Sequence, residues 1–175
     1  MNSILLIQGS LNPNSKTSVV IQHAADELQK RGKGHEILDL RHLDLPFCDG
    51  RSLAQYNEDT QKAYKKMEDA QGYIWGMPVY CFSVSGPLKN FIDLTAGAME
   101  NKVSATICNA GGNRSYMALG DLSRILAFEA RVVTVQPAVY TTYEDFKDGA
   151  LINETINERI NEMIDALLIH TSNRL

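Results

Sequence analysis

Hydroxyl and amide side chains crowd the segment Gly9-Ser10-Leu11-Asn12-Pro13-Asn14-Ser15-Lys16-Thr17-Ser18, which holds a single lysine. The segment joins an apolar run, Ile4 to Ile7, to a helical pattern that begins at Thr17. Helix N-termini offer unpaired N–H groups and the positive end of the helix dipole, so anions bind there. Ser and Thr add donors to a phosphate without adding bulk. Capping by Ser15 or Thr17 accounts for one hydroxyl only, and the density of donors favours anion binding. Two familiar phosphate patterns are absent. GxGxxG needs three glycines, and only Gly9 is present. Without those glycines Asp39, placed where a ribose-binding acid would sit, reads as simply polar. GxxxxGK[ST] is a near miss: Ser15-Lys16-Thr17 imitates its tail, but Ser replaces the second Gly and the spacing is too long. No apolar strand ends in the Asp that would hold Mg²⁺, so a kinase or NTPase is poorly supported.

A second segment, Gly76 to Asp93, sets Tyr80 and Phe82 beside Pro78, Gly86 and Pro87. Aromatic groups supply apolar faces and main-chain groups read polar edges, so this loop is able to hold a flat ring. The plainer alternative is that Tyr80 and Phe82 pack beneath the loop. Cys81 lies in the same stretch, but no Cys/His/Asp arrangement supports a nucleophile. His23, His35, His42 and His170 lack metal-ligand spacing. Cys81 is read as a packing residue, and no metal site is expected. A third segment, Ala110-Gly111-Gly112-Asn113-Arg114-Ser115, is glycine-rich and precedes another helical pattern.

The elements that must hold these loops alternate along the chain. The unbroken apolar run Ile4–Ile7 suits a parallel strand covered on both faces. Val20, Ala24 and Leu28 recur at helical spacing until Gly32 and Gly34. His35 to Leu40 reads as a second strand, Leu43 to Ser52 as irregular, Glu58 to Ala70 as a polar helix, and Tyr73 to Trp75 as a third strand ending at Met77-Pro78. Pro87 suits the first turn of a helix running to about Ala98. Val103 to Cys108 is a fourth strand, and a helix follows from about Ser115 to Glu129. Arg131 to Val139 contains a fifth strand, with Pro137 past its paired part. The last helix, from about Ile152 to Ile169, aligns Ile152, Ile156, Ile160, Met163, Ile164 and Leu167 on one stripe. Such alternation predicts an α/β three-layer sandwich: a five-stranded parallel sheet, leading order 2-1-3-4-5, with helices on both faces. Ligands on these sheets sit beyond the carboxyl ends of the strands, which gathers the three loops in one place.

The 175 residues carry a net charge of −4. That argues against nucleic-acid binding, which needs a basic footprint, but leaves room for an anionic small ligand met by local donors. Three cysteines without CxxC spacing fit a reducing cytoplasm rather than a disulfide framework. Ile4–Ile7 is too short for a membrane span or a signal-peptide core, and no Lys or Arg precedes it. The expectation is a soluble cytoplasmic chain forming one domain over 1–175, with no membrane partner.

Pro78-x-Tyr80-x-x-Ser83-x-x-Gly86-x-Leu88-Lys89-Asn90-x-x-Asp93 resembles the signature of the NAD(P)H-dependent FMN reductase family. The first loop matches that family's phosphate motif in register, from Gly9-Ser10 through Ser15, with Thr17 at a position usually Asn or Ser. The Gly111-Gly112 segment is similar to its later glycine-rich loop. Asn12 departs from the pattern, which often has Arg there; either charge neutralisation is weaker or Lys16 compensates. The resemblance implies a flavodoxin-like fold and FMN as cofactor. Ser10, Asn12, Ser15, Lys16 and Thr17 would hold the phosphate, and Pro78, Val79, Tyr80, Phe82 and Ser83 the ring. Gly111 and Gly112 would allow close approach at the pyrimidine end. Arg114 would add positive potential, or is equally a solvated surface charge. It further implies ping-pong hydride transfer from NADPH or NADH to FMN, then reduction of a small-molecule acceptor such as a flavin, quinone or azo compound. No catalytic side chain is then needed, because the flavin carries the chemistry. A homodimer or homotetramer is implied. The alternative is a flavodoxin-like electron carrier without NAD(P)H turnover.

Overall fold

The structure, a computed structural model, describes residues 3–172. β1 (Ile4–Gln8) is buried along its length, as its unbroken apolar run requires. It lies between β2 (His35–Asp39) and β3 (Gly72–Tyr80), parallel to both, with Gln8 opposite Asp39 on one side and Gly76 on the other. α1 (Lys16–Lys30) crosses from β1 to β2 and α2 (Glu58–Asp69) from β2 to β3. β4 (Ser83–Val84) folds back antiparallel on the end of β3, and α3 (Gly86–Thr95) follows with Pro87 in its first turn. β5 (Val103–Asn109) runs parallel to β3 and leads to α4 (Ala118–Ala130). β6 (Val133–Thr134) and β7 (Val139–Thr141) both pair with β5. A small hairpin, β8 (Phe146–Lys147) and β9 (Ala150–Leu151), precedes α5 (Glu154–Ser172).

Alternation along the central strands sorts the core into two layers. Leu5, Ile7, Tyr73, Trp75 and Met77 meet α2, α3 and α4 on one face. Ile4, Leu6, Ile74, Ala105 and Ile107 meet α1 and α5 on the other. Trp75 is fully buried, 5.7 Å from the Tyr73 ring and 6.4 Å from Phe91. Its contact with Phe91 ties β3 to α3 beneath the loops at the carboxyl edge.

The parallel sheet with helices on both faces agrees with expectation; the strand count does not. The sheet has seven strands, its main path running β2-β1-β3-β5-β6, with β4 beside β3 and β7 beside β5. β3 continues to Tyr80 and turns back, which adds β4. The expected fifth strand is broken in two at the cis Gln136-Pro137 bond. Pro137 has no N–H to give the ladder, and it lies in the gap between β6 and β7 rather than beyond the strand. α4 begins at Ala118, after a 3₁₀ turn at Asn113–Ser115. Ile152 precedes α5 and is 51% exposed, so it leaves the expected stripe. Among the described residues no helix is long and apolar enough to cross a membrane.

Candidate functional site

The carboxyl ends of β1, β3 and β5 meet around a cleft of about 240 Å³. Gly9 is where the first loop leaves the sheet: its N–H donates to the Gly76 carbonyl at 2.9 Å, and a Cβ would stand 2.7 Å from that oxygen. Only glycine allows this approach. The loop is held from behind by Gln8, buried at the end of β1. The Gln8 carboxamide accepts from the Ser10 N–H at 2.6 Å, donates to the Ser10 carbonyl at 2.8 Å, and donates to Asp39 Oδ1 at 3.1 Å. Asp39 also receives the Arg41 guanidinium, which reaches on to the Pro13 carbonyl at 3.3 Å. Burial opposes ionisation of Asp39, but hydrogen bonds from the Arg41 side chain and backbone outweigh it, aided by the charges of Arg41 and His42. They hold the carboxyl below its usual range. Asp39 is therefore part of the frame behind the loop.

Ser10, Asn12, Ser15, Lys16 and Thr17, all expected from the sequence, line the cleft. The loop satisfies its own acceptors and leaves its donors over. Ser15 Oγ accepts from the Ser18 N–H at 3.1 Å, Ser10 Oγ from Asn12 at 3.3 Å, and Asn12 Oδ1 from Asn14 at 2.9 Å. The hydroxyl protons of Ser10 and Ser15 and the Asn12 amide remain as donors. The N–H groups of Lys16 and Thr17, in the first turn of α1, have no intrahelical acceptor. This polarity suits an anion. Lys16 leans over the Phe146 ring, 5.2 Å from its centroid.

The second wall is Pro78, Val79 and Tyr80 at the end of β3. Cys81 and Phe82 form the turn into β4 with φ of 50° and 62°. Tyr80 and Phe82 are 50% and 65% exposed, so neither packs beneath the loop. Cys81 is exposed as well, and its reading as a packing residue is corrected. Phe82 and Ser83 do not line the cleft. Ser83 instead donates to Asp121 Oδ2 at 2.7 Å, tying the turn to α4.

Asn109, Ala110 and Gly111 form the third wall. Asn109 donates to Thr141 Oγ1 at 2.9 Å, and the Ala110 N–H to the Thr141 carbonyl at 2.9 Å. Tyr140 Oη donates to the Gly112 carbonyl at 2.7 Å. A Cβ on Gly111 or Gly112 would meet nothing within 4 Å, so bare backbone is presented to open space. Gly112 and Arg114 stand outside the cleft lining.

Sequence reasoning missed Asn14, Asn109, Ala110 and Tyr143 as lining residues. Tyr143 sits on a turn after β7 that buried Asp145 fixes. The Asp145 carboxylate receives the Thr142 N–H at 2.7 Å and Asn153 Nδ2 at 2.6 Å. The Thr142-x-x-Asp145 spacing marks the turn locally, but the place of Tyr143 at the cleft also depends on the Asp145–Asn153 bond just before α5. Asn14 and Ala110 lie in loops the sequence singled out, and the strand-end position of Asn109 pointed the same way. Among the described residues no cluster of His, Cys, Asp and Glu could hold a metal.

A doubly wound sheet with a donor-rich loop before its first helix and a half-exposed aromatic residue at the end of its third strand defines a flavodoxin-like fold. Residues 2–145 match the NADPH-dependent FMN reductase family, and the chain belongs to it. It is 30% identical over 148 residues to the NAD(P)H-dependent FAD/FMN reductase of Geobacillus thermodenitrificans, covering 83% of this chain and 80% of that one. It is 29% identical over 180 aligned residues to the FMN-dependent NADPH-azoreductase of Staphylococcus saprophyticus, covering 97% and 95%. Among solved structures, the FerB flavoenzyme NAD(P)H:(acceptor) oxidoreductase of Paracoccus denitrificans superposes with a TM-score of 0.79 at 19% identity. That match covers 97% of this chain and 99% of FerB, a likeness of fold. The chain is accordingly an oxidoreductase that works with FMN and NAD(P)H.

Proposed function

We propose that the cleft holds FMN with its phosphate in the first loop and its ring along Pro78, Val79 and Tyr80. When bound, FMN supplies the redox chemistry, taking a hydride from NAD(P)H and passing electrons to a second acceptor. The observation that carries the placement is the polarity of the first loop, whose acceptors are occupied internally while its donors stay free at a helix N-terminus. Ser10, Asn12, Ser15, Thr17 and the first N–H groups of α1 bind the phosphate. Lys16 adds a positive charge at the same end. Tyr80 gives the ring an apolar face. Gly111 and Gly112 offer bare backbone to the pyrimidine edge, with Arg114 nearby in sequence as a cation. Phe82 and Ser83 act one step back, by shaping the turn that ends the ring wall.

Donor and acceptor use the same open face in turn, the acceptor being a flavin, a quinone, an azo compound or similar. Exposed Phe128, Met117 and Tyr116, on or just before α4, support assembly into a homodimer or homotetramer. The free cysteines support a reducing, cytoplasmic setting. Steady-state NADPH oxidation by the FMN-loaded protein with excess acceptor tests the reading. Parallel double-reciprocal lines are expected. Negligible turnover would overturn it in favour of an electron carrier.

A further inference from the structure

Lys16 is the only charged residue of the first loop, Gly9 to Ser18, so charge neutralisation of an anion there falls on it. A free lysine stem is flexible and loses that freedom when its ammonium settles on an anion. Here the stem is already engaged. Its Nζ rests over the Phe146 ring, 5.2 Å from the centroid, within the range of a cation–π contact. Lys16 also lines the cleft, at the N-terminus of α1. Phe146 belongs to the β8–β9 hairpin, which is fixed at both ends. Asp148 and Gly149, with φ of 49° and 82°, form its Asp-Gly turn. That turn pairs Phe146 with Leu151 and Lys147 with Ala150. The Ile152 N–H donates to the Asp145 carbonyl at 2.9 Å and closes the base of the hairpin. The Asp145 carboxylate is committed to the Thr142 N–H and to Asn153 Nδ2. Phe146 and Leu151 pack against the core layer of α1 and α5. The ring is therefore a fixed platform under a mobile type of side chain.

We propose that Phe146 is a positioning residue for cofactor binding: its ring holds the Lys16 ammonium at the phosphate end of the cleft. An ammonium has three donor hydrogens. A ring face attracts the charge without neutralising it, whereas a carboxylate in the same place would compete with the phosphate. The stem is ordered before the cofactor arrives, and less freedom is lost on binding. The inference rests on the placement of the FMN phosphate in the first loop and adds the aromatic support behind the loop's cation.

The test measures FMN and riboflavin affinity by fluorescence quenching for wild type, Phe146→Leu, Phe146→Tyr, Lys16→Gln and the double variant Phe146→Leu with Lys16→Gln. Lys16→Gln is expected to weaken FMN binding roughly tenfold, as loss of a charged partner does. Phe146→Leu is expected to weaken it roughly threefold, the scale of an exposed cation–π contact. Phe146→Tyr keeps wild-type affinity, because the ring face is retained. The double variant loses no more than Lys16→Gln alone, since Phe146 acts through Lys16. Riboflavin, which lacks the phosphate, binds every variant as it binds wild type. An FMN affinity unmoved by Phe146→Leu, or a Phe146→Leu loss of equal size with and without Lys16, overturns the proposal while leaving the FMN reading intact. So does a Phe146→Leu loss shared by riboflavin, which would make the ring a structural support only. If Phe146→Leu does not fold, the other single variants decide: FMN affinity unchanged in Lys16→Gln, or lowered in Phe146→Tyr, overturns the proposal. A wild type that binds riboflavin as tightly as FMN overturns the phosphate placement itself.

Discussion

Replacing Gln8 with leucine keeps the size of the side chain and removes the frame behind the first loop. The Gln8 carboxamide makes three hydrogen bonds, two to the Ser10 backbone at 2.6 and 2.8 Å and one to Asp39 at 3.1 Å. Gln8 is 1% exposed, so water does not replace them. At about 1 kcal/mol for each bond the loss is about 3 kcal/mol. For a chain of this size that lowers Tm by roughly 6–12 °C. Asp39 keeps its Arg41 partner, so no unpaired charge is left behind. The functional consequence is separate from the thermal one. Ser10 loses its fixed position, and the phosphate loses an aligned donor. FMN affinity measured by fluorescence quenching is expected to fall roughly tenfold, while riboflavin, which lacks the phosphate, is affected little. A Gln8→Leu protein that melts with wild type and binds FMN as tightly would refute the role assigned to the frame.

The turn after β3 places two non-glycine residues, Cys81 and Phe82, at positive φ, where a two-residue hairpin favours Asn-Gly. The double substitution Cys81→Asn and Phe82→Gly is expected to stabilise the protein by roughly 1 kcal/mol or more, read as a higher Tm; an unchanged or lower Tm contradicts the strain. Asp39 has a folded pKa below its unfolded value, so its contribution is complete above about pH 4 and fades as pH falls through the lower folded value. The stability gap between wild type and Asp39→Asn is therefore constant near neutrality and closes on acidification. A gap that persists at the most acidic pH permitting folding contradicts this. Tyr143 is 58% exposed at the cleft rim, so Tyr143→Ala should weaken FMN binding by about 1 kcal/mol with Tm unchanged; equal affinity removes Tyr143 from the site.

The parts of the fold written in local pattern were legible in the sequence. Ile4–Ile7 has no polar interruption, and a strand so composed has to be covered on both faces. Val20, Ala24 and Leu28 mark the buried side of α1, and Pro87 marks the start of α3. These local signals sufficed to bring the three loops to one edge. Features that depend on distant closure were not legible. Pro137 was visible, but that β5 reaches past it to pair with both β6 and β7 is a property of the assembled sheet. Gln8 looks like the polar end of an apolar strand, and only the folded chain brings Ser10 and Asp39 to it. Tyr143 is positioned by an Asp145–Asn153 bond set by the start of α5. The strap around Pro46 and Cys48 reads as irregular sequence, because its order comes from Asn90 on another element.

Phosphate recognition by the first loop is the central claim, and comparing FMN with riboflavin tests it most directly. The account predicts that the wild-type protein binds FMN more tightly than riboflavin. Replacing Ser15 and Thr17 with alanine should weaken FMN binding by about 1–3 kcal/mol and leave riboflavin binding nearly unchanged. Equal affinity of the wild-type protein for FMN and riboflavin would contradict it.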